Sequence, residues 1–246
     1  MKNAGLRLLR YVSDAAESML ALLMPWRCLI CSAVLPSDTL WHYLCQQCFD
    51  RLQPAPPPPV LGSIADEHLD PDERALSHVM ARWSAHPTQR PGLFDLIYAL
   101  KYYGYWRIGV ELGIELGAAI HLLRGRDYDA IIPVPIHPAR RRERGYNQSE
   151  AIAEGVQHIL RIPRWTDALR RTRYTQSQTT LSAADRRTNT RGAFGAGTMA
   201  DRLRGAQLLI VDDVFTTGST LNSVALAALE HGAASVDAAT LVAAVQ

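Results

Sequence analysis

The sequence predicts an α/β fold in which a parallel sheet is covered by helices. Short apolar runs alternate along the chain with segments of helical periodicity, and continuous apolar runs are typical of strands buried on both faces. The chain has 246 residues, 48% of them apolar and 20% charged, which suits one globular domain with an appendage. No apolar run is long enough to span a membrane, and we expect a cytoplasmic protein.

The N-terminal residues are expected to form an amphipathic helix that lies on the body of the protein. Two acids, Asp14 and Glu17, interrupt the apolar stretch and no small-residue cleavage site follows, so we expect no secretory signal. The apolar side chains recur at helical spacing, at Leu6, Leu9, Ala16, Leu20 and Leu23.

Composition divides the chain into three zones. Residues 1–52 contain the predicted N-terminal helix and all four cysteines. The proline-rich run at 53–60 predicts an extended polyproline spacer. Together with the acidic stretch that follows, it leads us to interpret 53–74 as a linker. The alternating pattern occupies 75–246, which is interpreted as the main domain.

The main domain is predicted to alternate strands and helices. Apolar runs predict strands at 79–85, 129–135, 207–213 and 235–245. Helical periodicity predicts helices at 93–100, 106–123, 147–160 and 219–230. The polar stretch 170–204 has little periodicity, and because long structureless segments inside compact domains are usually functional, we expect a mobile loop over a site.

The four cysteines form two CxxC pairs, which are separated by thirteen residues: Cys28, Cys31, Cys45 and Cys48. Two such pairs place four thiolates around one Zn²⁺ ion, and four sulfur ligands leave no position for water or substrate. We therefore expect a structural zinc site. The alternative is four unligated or redox-active cysteines. His42 lies nearby, and we expect a solvated side chain there instead of a ligand.

The stretch 207–230 predicts a phosphate site. A strand ends in two acids, Asp212 and Asp213, and a helix begins a few residues later. A helix N-terminus presents unpaired N–H groups and a positive partial charge to a phosphate, while paired carboxylates accept hydrogen bonds from a sugar diol. The connecting loop is Thr216, Thr217, Gly218, Ser219 and Thr220. A helix cap needs one acid only, and the loop has no Walker A lysine.

Positive charge is concentrated in one part of the chain. The formal net charge is +2. Between Arg140 and Arg191, however, twelve arginines face five acids, a net charge of +7. Arginine suits phosphate oxygens because its planar donors bind them in pairs. The block favours a polyphosphate or nucleic-acid ligand, although arginine as a general surface cation explains the scarcity of lysine.

The motif IVDDVFTTGST at 210–220 resembles the phosphoribosyl pyrophosphate (PRPP) signature of type I phosphoribosyltransferases. With the stretches at 97–104, 133–153 and 170–194 and the CxxC pairs, the chain resembles the ComF/GntX family of competence-associated proteins. That resemblance implies a type I phosphoribosyltransferase-like parallel sheet with flanking helices, preceded by a small N-terminal zinc ribbon.

The resemblance also implies roles for residues. Asp212 and Asp213 would hold the ribose hydroxyls, and 216–220 the 5-phosphate. The pyrophosphate, with a Mg²⁺ ion, would face Lys101, Arg140 and Arg144, with Arg141 and Arg142 beside them. A flexible loop over 171–191 would bring the family's catalytic polar positions to the site, which here are Arg171, Gln178, Arg186 and Asn189. Tyr146 and Asn147 would orient the loop, read an acceptor or simply pack.

One departure from the pattern bears on the substrate. Related enzymes acting on 6-oxopurines have an acid where this chain has Thr216, and a hydroxyl does not serve as a general base near neutral pH. The sequence therefore predicts a Mg²⁺-dependent phosphoribosyltransferase whose acceptor is open. The alternatives are a non-catalytic, PRPP-regulated accessory protein that binds single-stranded DNA during transformation, or a zinc ribbon that only docks a protein partner.

Overall fold

The computed structural model describes residues 25–36, 41–88, 92–123, 127–173 and 192–244. These residues divide into two compact units, with the boundary between Arg51 and Leu52. The predicted N-terminal amphipathic helix lies outside the described residues. Within the described ranges, no helix has both the length and the apolar character of a membrane span.

The smaller unit contains the four cysteines and one short helix, α1 (Gln46–Phe49). An antiparallel bridge joins Arg27 to Val34. The ring of Trp26 stands edge-on to His42, with 5.4 Å between ring centroids. Leu35 and Leu44 are its buried leucines among the described residues, so its apolar core is small.

The larger unit alternates strands and helices. Its strands are β1 (Gln53–Pro54), β2 (His78–Ala85), β3 (Ala130–Pro133), β4 (Leu169–Arg171), β5 (Phe194–Ala196), β6 (Gln207–Phe215) and β7 (Ser235–Ala244). Its helices are α2 (Pro58–His68), α3 (Leu93–Tyr102), α4 (Trp106–Leu122), α5 (Pro138–Arg144), α6 (Gln148–Leu160) and α7 (Ser219–Glu230). Short 3₁₀ turns lie at Pro71–Glu73 and Ala200–Leu203.

Five strands form the main sheet in the order β1-β2-β7-β6-β3. All neighbours are parallel except β1, which pairs antiparallel with β2. Strands β4 and β5 form a separate antiparallel pair. The sheet with its flanking helices confirms the predicted phosphoribosyltransferase-like α/β class. Because β3, β6 and β7 run parallel, the residues that follow them meet at one edge of the sheet.

Burial explains why these segments are strands. The apolar residues of β6 and β7 are almost completely buried on both faces of the sheet, as expected for central parallel strands. Helices α2 and α7 contribute Leu61 and Val224 to the same apolar cluster as Leu208 and Ile210 of β6. Strand β6 is therefore held rigidly at the centre of the core, along with the two acids it carries.

Two glycines allow α4 and α6 to pack at close range. A Cβ at Gly113 would lie 2.2 Å from the carbonyl oxygen of Ile152. A Cβ at Gly155 would lie 2.1 Å from the carbonyl oxygen of Val110. No side chain fits at either distance, so glycine at both positions sets the separation of the helices. This contact fixes α6, whose first turn reaches the acid pair.

The prediction of an extended spacer at 53–60 is wrong. Gln53 and Pro54 pair with β2, and Pro58 starts α2. Proline is tolerated in the first turn of a helix because its missing N–H would have no partner there. Leu61 and Ala65 are then buried against the sheet. Residues 53–74 therefore pack as part of the larger unit, although they were interpreted as a linker.

Other elements differ from the sequence predictions in smaller ways. Helix α5 was not predicted because none of its residues is buried, which leaves no apolar periodicity. The strand predicted at 129–135 ends earlier, at Pro133. The polar stretch 170–204 contains β5 and the end of β4, which pair with each other. Its central part, 174–191, lies outside the described residues.

Candidate functional site

The acid pair lies at the end of β6 and is buried. Asp212 is 9% exposed and Asp213 is 4% exposed. The hydroxyl of Ser149 donates to Asp212 at 2.8 Å, and Lys101 forms an ion pair with Asp213 at 2.7 Å. Successive residues of a strand point to opposite faces, and accordingly the two carboxylates meet different helices, α6 and α3.

Burial raises the pKa of Asp212 to about 7. The negative charge of Asp213 raises it further, while the Ser149 hydroxyl and the Lys101 ammonium oppose the shift. Near neutral pH this carboxyl therefore exchanges a proton. A buried carboxyl with a shifted pKa beside a second acid is typical of functional sites.

The loop after β6 leads directly into the first turn of α7. Gly218 has φ 77° and stands at the N-cap of the helix. The hydroxyl oxygens of Thr217 and Ser219 lie 2.9 Å apart, and Thr216 is exposed. The first N–H groups of this twelve-residue helix and the loop hydroxyls are donors of the kind that bind phosphate.

Gly218→Ala is expected to destabilise the protein by about 2 kcal/mol. A left-handed φ is unfavourable for alanine, and the new Cβ would lie 3.1 Å from the Phe215 ring. Gly205→Ala is the matched control, since Gly205 has φ 73° but nothing within 4 Å of its Cβ position. Urea unfolding measures both variants. Equal losses of stability would show that the Phe215 contact is unimportant.

The loop after β3 leads into the arginine helix α5 and borders a cavity of about 740 Å³. Arg141 makes a two-pronged ion pair with Glu150, at 2.7 and 3.2 Å. The guanidinium of Arg144 donates to Gln148 and lies 5.4 Å from the centroid of the Tyr102 ring. Residues from α5, α6 and β4 line the cavity, among them His137, Arg142, Asn147, Arg170 and Arg171.

Arg171 connects β4 to the acid pair. Burial lowers its pKa, and so does the positive charge of Arg140, whereas the charge of Asp212 raises it. Its guanidinium also lies 5.3 Å from the centroid of the Phe194 ring. The structure thus gathers Lys101, Arg140 and Arg171 around the buried acids. Gln178, Arg186 and Asn189 lie outside the described residues.

The sequence analysis missed Ser149. Its hydroxyl reaches Asp212, and its backbone N–H is capped by the side chain of Asn147. Asn147 also donates to the carbonyl oxygen of Val134, so it joins β3 to α6. Tyr146 donates to the carbonyl oxygen of Leu100. The signal for Ser149 is its place in the first turn of a helix that follows a buried strand.

The four cysteines of the smaller unit form a candidate metal centre. Their sulfur atoms all lie within 4.8 Å of one another, and Cys31 and Cys45 are 3.7 Å apart. A tetrahedral zinc site with bonds of about 2.3 Å requires sulfur separations of about 3.8 Å, so the donors fit that ion. His42 packs edge-on to Trp26 and is not part of the cluster.

The thiols of this cluster influence one another. Burial opposes ionisation of Cys28, but backbone N–H groups of Cys45, Cys31 and Ile30 lower its pKa to about 7. Burial raises the pKa of Cys48, and the neighbouring thiols raise it further. A cluster of this kind is poorly suited to hold four thiolates by itself, and a bound cation would stabilise their charge.

Comparisons with known proteins match both the site and the cysteine-bearing chain. The phosphoribosyl transferase domain family matches residues 147–246. Competence protein F of Haemophilus influenzae is 40% identical over 96 residues, which cover 39% of this chain and 42% of the relative. DNA utilization protein YhgH of Escherichia coli O157:H7 is 36% identical over 150 residues, which cover 59% and 65%. Competence protein ComFC of Bacillus subtilis is 32% identical over 113 residues, which cover 46% and 43%. Each match spans less than two thirds of the relative.

Proposed function

Because the chain belongs to the ComF family of competence-associated proteins and carries a phosphoribosyltransferase-like domain, we propose that it binds PRPP with Mg²⁺ and transfers the phosphoribosyl group to an acceptor. The observation that carries this proposal is the buried acid pair, placed one short loop before the first turn of α7.

The acid pair and the loop divide the sugar phosphate between them. Asp212 and Asp213 accept hydrogen bonds from the two ribose hydroxyls. The loop hydroxyls and the first N–H groups of α7 donate to the 5-phosphate. Gly218 lets the backbone approach the phosphate because it has no Cβ. Thr216 holds the position at which 6-oxopurine enzymes have an acid, so the acceptor is proposed to be of another class.

The cations near the acid pair bind the pyrophosphate. Without ligand, Lys101 is paired with Asp213; the pyrophosphate offers its ammonium a second anion, which leaves Asp213 able to accept from the sugar. Arg140 and Arg171 already lie in the field of the acid pair. Arg144 contacts Tyr102 and Gln148, and its role toward pyrophosphate rests on the family resemblance, as do those of Gln178 and Arg186.

Charge stabilisation is the main contribution of the protein to the reaction. As the bond from the sugar to pyrophosphate breaks, positive charge develops on the ribose and negative charge on the leaving group. Fixed arginines beside the leaving group lower the barrier. Mg²⁺ would supply further positive charge there, and Asp212 and Asp213 are carboxylates of the kind that this ion prefers.

The cysteine cluster is proposed to bind one Zn²⁺ ion. Four thiolates fill a tetrahedral coordination sphere, so the ion would stabilise the smaller unit and would not take part in the chemistry.

Titration of the protein with PRPP in the presence of Mg²⁺ tests the proposed function. We expect a one-to-one binding isotherm by calorimetry, and pyrophosphate release when the correct acceptor base is added. Ribose 5-phosphate and pyrophosphate alone serve as controls, because each fills only part of the site and is expected to bind more weakly. A folded protein that gives no heat with PRPP would contradict the proposal.

A second candidate function is that of a PRPP-regulated accessory protein that binds single-stranded DNA. The relatives named for competence and DNA utilization favour it, and so does the cluster of four arginines on α5. Binding of PRPP without pyrophosphate release for any acceptor would favour this function over transfer. Its affinity for DNA is expected to fall steeply with salt, because phosphate contacts release counterions.

A further inference from the structure

Four tyrosines form an exposed cluster beside the acid pair, which we name the tyrosine patch: Tyr98, Tyr102, Tyr103 and Tyr105. Tyr102 is 61% exposed and Tyr103 is 63% exposed. The rings contact one another, with centroids 4.6 Å apart for Tyr98 and Tyr102 and 5.5 Å apart for Tyr98 and Tyr103. Single exposed aromatic side chains are ordinary, but a contiguous exposed patch marks a binding surface.

The tyrosine patch is joined to positive charge. The Arg144 guanidinium lies over the Tyr102 ring at 5.4 Å, and Arg142 of the same helix is exposed. The segment 97–107 contains Lys101 and Arg107 and no acidic residue. Aromatic rings with nearby cations bind single-stranded nucleic acid, because bases stack on the rings while phosphates contact the cations.

We infer that the tyrosine patch is a stacking surface for the bases of single-stranded DNA. Duplex DNA is a poor fit, because its bases are already stacked within the helix and do not reach exposed rings. Tyrosine and arginine also occur in protein interfaces, but the absence of acids beside the rings favours a polyanion. The inference rests on the second proposed function and locates the DNA on the molecule.

The patch also lies beside the proposed PRPP site. Lys101, which pairs with Asp213, immediately precedes Tyr102 on α3. Tyr146 links α3 to the start of α6 through its hydrogen bond to Leu100, close in sequence to Ser149 at the acid pair. A strand on the tyrosine patch would therefore pass the entrance to the sugar phosphate site.

The test compares two double variants of the full chain. Tyr102→Leu with Tyr103→Leu removes two rings. Tyr102→Phe with Tyr103→Phe keeps both rings and removes only the hydroxyls. With fluorescence anisotropy and a labelled oligothymidylate, we expect the leucine pair to bind at least about tenfold more weakly. We expect the phenylalanine pair to stay within about twofold of the unmodified protein, since stacking uses the ring faces.

Companion probes separate stacking from charge. An abasic oligomer of the same length keeps the phosphates and is expected to bind both double variants alike. Equal losses for the abasic oligomer and the oligothymidylate would overturn the inference. So would unchanged oligothymidylate binding by the leucine pair, tighter binding of oligouridylate than of oligothymidylate, or a leucine pair that changes only the oligomeric state.

The test is independent of PRPP binding. The leucine pair replaces exposed side chains, and circular dichroism with a thermal scan verifies that it folds; single Tyr103→Leu serves if it does not. Calorimetry with PRPP on the same variants is expected to match the unmodified protein. Loss of DNA binding with intact PRPP binding supports the tyrosine patch. A protein that binds DNA but gives no heat with PRPP contradicts only the proposed transferase function.

Discussion

Replacing both Asp212 and Asp213 by asparagine is expected to weaken PRPP binding by at least about a hundredfold. Asparagine keeps the shape of each side chain but accepts hydrogen bonds from the ribose hydroxyls without a negative charge. It also removes the anion that positions Lys101. Calorimetry with PRPP and Mg²⁺ measures the loss. An isotherm like that of the unmodified protein would place the ligand elsewhere.

Asp212→Asn alone is expected to stabilise the protein above neutral pH. Burial raises the pKa of Asp212 from its ordinary value of 3.8 to about 7, so between these values the folded protein holds a proton that the unfolded chain has released. The stability of the unmodified protein therefore falls as pH rises through this window. Asparagine carries no such charge and should raise the melting temperature at pH 8 by about 5 °C.

The stabilisation depends on pH, which distinguishes it from a general packing effect. At pH 4 the carboxyl is protonated in the folded state, and the variant is expected to melt close to the unmodified protein. Ser149→Ala is the companion variant, because it removes the hydroxyl that supports the ionised carboxyl and should raise the pKa of Asp212 further. A gain in stability at pH 4 equal to that at pH 8 would contradict this explanation.

Removal of the metal is expected to unfold the smaller unit and leave the larger one folded. The smaller unit buries few apolar side chains, among them Leu35 and Leu44, and units of this size rarely fold without a metal or disulfides. Structural zinc in such sites contributes about 10 kcal/mol or more. Chelation should therefore abolish the near-ultraviolet signal of Trp26 and Trp41 while PRPP binding persists.

Metal content identifies the ligands. We expect one equivalent of zinc by elemental analysis in the unmodified protein, and less than about a tenth of that after Cys48→Ser. His42→Ala is the matched control, since His42 packs on Trp26 and lies outside the sulfur cluster; it should retain the metal. Retention of zinc by the cysteine variant would rule out the four-sulfur site.

The elements of the larger unit could largely be predicted because their signals are local. The limits of α7 at Ser219 and Glu230 match the prediction, since a strand, a glycine and an apolar helical repeat follow one another along the chain. Helix α2 could not be predicted in the same way, because its proline-rich start resembles a spacer. Only the burial of Leu61 and Ala65 against the sheet makes that segment helical.

The amino-acid sequence alone determined the composition of the site: which acids end a strand, which loop precedes a helix, and which cysteines are paired. These features involve residues a few positions apart, where spacing dictates geometry. Only the tertiary structure decided that Ser149 reaches Asp212, that Lys101 pairs with Asp213, and that four tyrosines are left exposed. Such contacts join residues far apart in the chain, and they depend on how the helices pack against the sheet.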